Sequence, residues 1–110
     1  MVRFNFKLRG KNFSTDVKEC RNLFQKTSGL MFRKKSKALL FIFNKKISLS
    51  IHSLFCVPFI GIWFDGRRII EARYVSPWRF YVKPFRKFDK LLEIPCNDKN
   101  FREIKSLLKN

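Results

Sequence analysis

The sequence predicts a β-rich α+β domain, a small twisted sheet or barrel-like body with one helix in the N-terminal half and a short helix at the C-terminal end. Three observations carry that expectation. Val2 to Leu8 alternates apolar and polar residues with the period of a half-buried strand. Leu54 to Phe64 is apolar on both faces and runs into Asp65-Gly66, a dipeptide that closes hairpins. From Asp98 to Leu108 the period changes, and Phe101, Ile104 and Leu108 fall on one helical face.

In chain order, Val2, Phe4, Phe6 and Leu8 share one side of the first strand, and Arg9-Gly10-Lys11-Asn12 supplies a turn. Behind Ser14, Thr15 and Asp16 as N-cap candidates, Val17, Cys20 and Phe24 stand at i, i+3 and i+7, which predicts a short helix ending near Ser28-Gly29. A basic turn then leads into an apolar strand, Ala38 to Phe43. Asn44-Lys45-Lys46 reads as a tight reversal, with Ile47, Leu49 and Ile51 alternating with Ser48, Ser50 and His52 as the hairpin partner. Pro58 cannot donate to a ladder, so it predicts a bulge or break near the start of the central strand. Arg67 to Val75 is the return strand, Pro77 and Pro84 interrupt regular structure, and Phe88 to Ile94 is the last strand, ended by Pro95. Asn100 and Glu103 are spaced as a capping pair for the final helix. No repeat, linker or shift of composition divides the chain, so residues 1–110 read as a single domain.

Charge is the strongest compositional signal. There are 25 Lys plus Arg against 8 Asp plus Glu, a formal net charge of +17, while 45% of the residues are hydrophobic and Phe supplies 14 positions. So much apolar material excludes a disordered basic tail. A surface of this charge attracts polyanions, and RNA, a ribonucleoprotein particle and an anionic membrane face all present dense phosphates. RNA or ribonucleoprotein is expected ahead of DNA, with a general bias toward Lys, Phe, Ile and Asn as the competing origin of the charge. Cys20, Cys56 and Cys96 form no CxxC pair and no even disulfide set, and His52 is the only histidine. A disulfide framework, a zinc site and any other cofactor are therefore not expected. The N-terminal residues lack a continuous apolar segment, and the apolar run at 54–64, broken by Pro58 and Gly61, falls short of the roughly 20 residues that span a bilayer. A cytoplasmic protein with no transmembrane segment is expected.

The order of the pieces resembles the family catalogued as domain of unknown function 192. GLMFR at 29–33 is similar to that family's most distinctive signature, and ALLFIF at 38–43 to the apolar strand that follows it. SIHSLF at 50–55 resembles the block typical of archaeal members, and PFIGIWFDGRRII at 58–70 matches a strand, turn and strand. PWRFY at 77–81 and LLEIP at 91–95 complete the series, which spans residues 1–95. The resemblance implies a barrel-like α+β domain and carries over no catalytic residues. There are two departures. Gly61 stands where the family usually has an Asp, which weakens any shared acidic site. Asn97 to Asn110 replaces a Gly-containing turn and further strand, so a helix from Asp98 is expected to cap the open end of the barrel.

Catalytic chemistry finds little material. Ser50 and His52 share a strand face, but such local alternation is common in strands without function, and His52 and Ser53 point to opposite faces. Glu71, Asp65 and Glu93 are not paired by spacing, and the four glycines form no phosphate loop. No enzymatic activity is expected. Polyanion contact has more: Arg33, Lys34, Lys35 and Lys37 form one group, Arg67 and Arg68 flank the hairpin turn, and Arg79, Lys83, Arg86 and Lys87 form a third. Trp78, Phe80, Tyr81 and Phe85 are either stacking faces for unpaired bases or core, and the resemblance favours core. Two further partners are weighed. An anionic lipid surface would need Phe101, Ile104 and Leu108 exposed, and a small ligand or peptide in the barrel mouth would be lined by His52 and Trp63.

Overall fold

The computed structural model describes residues 2–21, 37–48, 58–76 and 84–108. They form a six-stranded sheet of β1 (Val2–Leu8), β2 (Lys11–Cys20), β3 (Ala38–Ile47), β4 (Phe59–Asp65), β5 (Arg68–Val75) and β6 (Phe88–Pro95), with one helix among the described residues, α1 (Phe101–Leu107). The spatial order is β1-β2-β3-β6-β4-β5. β2 and β3 run parallel, and the other neighbours are antiparallel.

Both hairpin turns are set by backbone conformation. Arg9 and Gly10 have positive φ, 50° and 83°, the conformation of a two-residue I′ turn between paired Leu8 and Lys11. At the second hairpin Asp65 pairs with Arg68, and positive φ falls on Gly66 alone, at 64°, where a II′ turn takes glycine. Two contacts hold this tip to β6. The Gly66 amide donates to the Asp89 carboxylate at 3.1 Å, and Lys90 Nζ donates to the Gly66 carbonyl at 3.1 Å.

The sheet curls into a half-barrel. Phe4 of β1 meets Phe64 of β4 edge-on, with ring centroids 5.5 Å apart, although three strands stand between them in the sheet. The concave face encloses Phe6, Leu8, Phe13, Val17, Ala38, Leu40, Ile60, Ile62, Phe64, Leu92 and Ile94. Ile104 of α1 completes this core, with no exposed surface, and Phe101, Leu107 and Leu108 pack around it. The helix thus closes the concave core with its apolar face, as the sequence pattern anticipates. A second apolar layer lies on the convex face: Cys20, Leu39, Phe41, Phe59, Trp63, Val75, Phe88 and Leu91.

Three sequence expectations are overturned. Residues 11–20 are strand, where a helix was expected from Ser14; the remainder of that helix, 22–28, lies outside the described residues. Phe13, Thr15 and Val17 alternate inward with period two, but Cys20 is buried against the opposite face, so Val17 and Cys20 imitate a helical i, i+3 pair. The reversal at Asn44-Lys45-Lys46 is also absent. Ile42 pairs with Lys90 and Ile47 with Phe88, so β3 extrudes this exposed trio as a bulge and keeps its direction. The remainder of the expected hairpin partner, 49–51, lies outside the described residues. Asn100 and Glu103 do not form a capping pair. Asn100 Nδ2 donates to the Ser14 carbonyl at 2.9 Å, and Glu103 pairs with Lys11, so both groups dock the helix on the first hairpin. Val2, on the inward side of β1, is 43% exposed because it lies at the end of an edge strand.

Candidate functional site

Strand pairing brings one set of basic residues to one end of the sheet. Ile47 pairs with Phe88, and Phe64 with Lys90, so the end of β3, the tip of the β4–β5 hairpin and the start of β6 converge. Arg67, Arg68, Arg86 and Lys87 are all exposed there. Lys45 and Lys46, which the sequence reading had placed in a turn, join them, and Lys46 Nζ lies 3.1 Å from the Asp65 carboxylate. No acidic side chain among the described residues pairs with Arg67, Arg68, Arg86 or Lys87.

Lys37 lies elsewhere. It precedes Ala38 at the far end of β3, on the order of 20 Å along the ladders from the hairpin tip, since Leu39 faces Glu93 and Phe64 faces Lys90. Arg33, Lys34, Lys35, Arg79, Lys83 and His52 lie outside the described residues, as do Ser50, Ser53, Cys56, Trp78, Phe80 and Tyr81. Basic side chains also occur on every described element except β4, so density alone selects no surface.

One cleft joins two of the hairpin-end arginines, while a larger hollow of about 580 Å³ beside α1 is lined by Cys96, Asp98, Lys99, Phe101, Arg102 and Lys105. Asp65, Arg68, Ile69, Ile70, Phe85 and Arg86 line a cavity of about 110 Å³ between the start of β5 and the segment leading into β6. Pro84 and Phe88 are buried and pin that segment at both ends, which leaves Phe85 to Lys87 displayed. Phe85 is 73% exposed, and the Arg86 guanidinium lies over its ring at 5.5 Å from the centroid. The expectation that the aromatic residues of this stretch are core therefore fails at Phe85.

A different arrangement occupies the convex face. Glu93 of β6 sits opposite Gly61 of β4 on one side and Leu39 of β3 on the other. It is only 6% exposed, and burial pushes its carboxyl up to about 8 from an ordinary 4.5. A Cβ on Gly61 would meet Trp63 Cη2 at 3.0 Å, so the indole lies over this glycine. Trp63 itself has no exposed surface, and its buried indole N–H has no hydrogen-bond partner among the described residues. Arg73 lies over the same indole, 5.8 Å from its centroid, and is paired with Glu71. The described surface thus gives Trp63 no open mouth to line. Sequence reasoning passed over Glu93 because nothing near it in sequence pairs with it; its one signal was a lone acid inside the apolar run Leu91-Leu92-Glu93-Ile94.

Cys20 is buried and Cys96 exposed, and neither forms a disulfide among the described residues. No group of three or more His, Cys, Asp or Glu side chains among the described residues could hold a metal ion. No helix among them is long and apolar enough to cross a membrane.

No family model matches the chain. It is 32% identical over 91 residues to a UPF0127 protein of Pyrococcus furiosus, across 79% of this chain and 78% of that one. It is 32% identical over 82 residues to a UPF0127 protein of Pyrococcus horikoshii, across 69% and 71% of the two chains. Its fold is similar to that of a protein of unknown function from Novosphingobium aromaticivorans DSM 12444, with a TM-score of 0.77 at 16% identity, covering 98% of this chain and 79% of that one. It is also similar to a candidate transcription regulator from Sinorhizobium meliloti 1021, with a TM-score of 0.75 at 16% identity, covering 96% and 82%. At that identity the likeness speaks for the fold alone.

Proposed function

Because the chain belongs to the UPF0127 family, whose name assigns no reaction, we propose a function from its surface: a non-enzymatic β-rich module that docks on the phosphates of RNA or a ribonucleoprotein. The contact surface is the basic end of the sheet around Arg67, Arg68, Arg86 and Lys87. The observation that carries this reading is the cleft in which Arg68 and Arg86, from separate segments, flank one opening beside an exposed aromatic ring. Arginine suits this role, since its planar guanidinium is always charged and presents paired donors to phosphate oxygens. We take the resemblance to domain of unknown function 192 to describe the same family, because its strand, turn and strand block at 58–70 coincides with the β4–β5 hairpin.

No reaction is part of the proposal. Among the described residues no two carboxylates face each other across a ladder. Glu93 has Gly61 and Leu39 as its ladder partners, and the other acids are engaged by cations, hydroxyls or backbone amides. Attachment to lipid through α1 is disfavoured, because Ile104 is buried and Phe101 and Leu108 pack on the concave core. The cleft of about 110 Å³ is smaller than the roughly 300 Å³ at which small-molecule pockets begin and suits one group of a larger partner; the hollows of about 510 and 580 Å³ lie elsewhere, on the first hairpin and beside α1.

Fluorescence anisotropy with a mixed-sequence single-stranded RNA, titrated from low to high salt, tests the proposal. The expected result is binding at low ionic strength with log affinity falling linearly against log salt. No binding at low salt, or no decline with salt, would overturn it.

A further inference from the structure

One exposed apolar side chain on a protein surface needs no special explanation. Phe85 stands apart because of its setting. It lines the cleft with two arginines, and Arg86 sits over its ring, so the aromatic face is oriented by its own neighbour and still 73% exposed. The buried flanks Pro84 and Phe88 anchor the short segment that carries it. A base that stacks on such a ring gains contact area at little cost in side-chain freedom, and every base has a face to offer. Base-paired RNA has none free, because its bases are stacked within the helix.

Asp65 gives the cleft a second property. Asp65 lines the same opening, and its carboxylate lies 3.1 Å from Lys46 Nζ, so its charge is partly compensated. An ionised carboxylate only accepts hydrogen bonds. Cytosine, adenine and guanine carry exocyclic amino donors, whereas uracil has O4 in place of the cytosine amino group and only an N3–H donor, flanked by two carbonyl oxygens that repel a carboxylate.

We propose that the Asp65–Arg68–Phe85–Arg86 cleft is a subsite for one unpaired ribonucleotide. The base stacks on Phe85, its phosphate is held by Arg68 and Arg86, and Asp65 accepts from an amino group on the base. This inference rests on the polyanion reading above and narrows it from phosphates in general to single-stranded RNA containing amino-bearing bases. The cleft itself admits a single polar group, since about 110 Å³ is the space of roughly four waters; the base and sugar stay outside it, against the exposed Phe85 ring.

The test is anisotropy at low salt with three probes of matched length, oligocytidylate, oligouridylate and a mixed-sequence RNA duplex, against the wild type, Phe85→Ala and Phe85→Trp. The expected results are tighter binding of oligocytidylate than of oligouridylate, and about ten-fold weaker binding of oligocytidylate by Phe85→Ala. Phe85→Trp should restore the affinity, and duplex binding should be the same in all three proteins. Because Phe85 is exposed, its substitution leaves the core intact. Salt-dependent binding of oligocytidylate that is equal in wild type and Phe85→Ala would overturn the nucleotide subsite and leave the basic surface standing. Absence of all binding by the wild type would overturn both.

Discussion

Glu93 and Gly61 face each other across the β4–β6 ladder, so the buried carboxyl on β6 is set against the one position of β4 without a side chain. The space above Gly61 is taken by the Trp63 indole, which approaches within 3.0 Å of where a Cβ would stand. An aspartate at 61, which the resemblance led one to expect, would collide with that ring. The acid in this part of the sheet is instead supplied from the neighbouring strand, in surroundings apolar enough to keep it protonated at neutral pH.

Stability should therefore fall as pH rises through this group. Glu93 releases its proton near 4.5 when unfolded and near 8 when folded. Between those values the folded state holds a proton that the unfolded chain has lost. The contribution is full below pH 4.5 and disappears as pH passes about 8. The loss across the window is on the order of 5 kcal/mol. Glu93→Gln should flatten the profile and exceed the wild type in stability at pH 9. Urea denaturation at pH 5, 7 and 9 reads both effects; equal pH profiles for the two proteins would contradict the assignment.

Gly61→Ala should destabilise the protein by about 1–3 kcal/mol, the usual cost of overpacking, because Trp63 is fully buried and cannot yield easily. Displacement of the indole should change the near-ultraviolet circular dichroism. An alanine variant as stable as the wild type, with an unchanged spectrum, would show that the ring moves aside freely.

The docking of α1 depends on Asp98. Thr15 Oγ1 donates to Asp98 Oδ2 at 2.5 Å, and the other oxygen accepts the Asn100 amide at 2.8 Å just before the helix. Thr15→Val leaves a partly buried carboxylate without its hydroxyl donor and should cost about 1–3 kcal/mol. Amide hydrogen exchange should accelerate first in residues 101–107, the helix that this contact seats on the first hairpin. Uniform acceleration across the sheet would mean that helix and sheet unfold as one unit.

The parts legible in the sequence are those decided by neighbours in the chain. Val2 to Leu8 announces a strand by alternation, Asp65-Gly66 announces a hairpin by turn chemistry, and Ile104 announces the buried face of α1 by helical spacing. Where two faces of the sheet are both covered, the pattern misleads, and Val17 and Cys20 imitate a helix although they belong to opposite faces of β2. Long-range pairing was not legible at all. It sets Glu93 beside Gly61, carries Asn44 to Lys46 through β3 as a bulge, and places Lys37 at the far end of that strand from Arg67 and Arg68. Phe85 was misjudged for a related reason: its exposure follows from Pro84 and Phe88 being pinned in the core on either side.

Basic residues occur over most of the described surface, so the decisive measurement separates place from total charge. Two variants each lose four positive charges: Arg67, Arg68, Arg86 and Lys87 to Gln, and the exposed Lys7, Lys18, Lys99 and Arg102 to Gln. Affinity for single-stranded RNA is measured across a salt series. The expected result is that the first variant loses at least about ten-fold at low salt and its salt dependence falls by roughly three, near 0.7 for each phosphate contact removed, while the second keeps most of the affinity and slope. Equal losses in the two variants would contradict a dedicated basic surface at the hairpin end of the sheet.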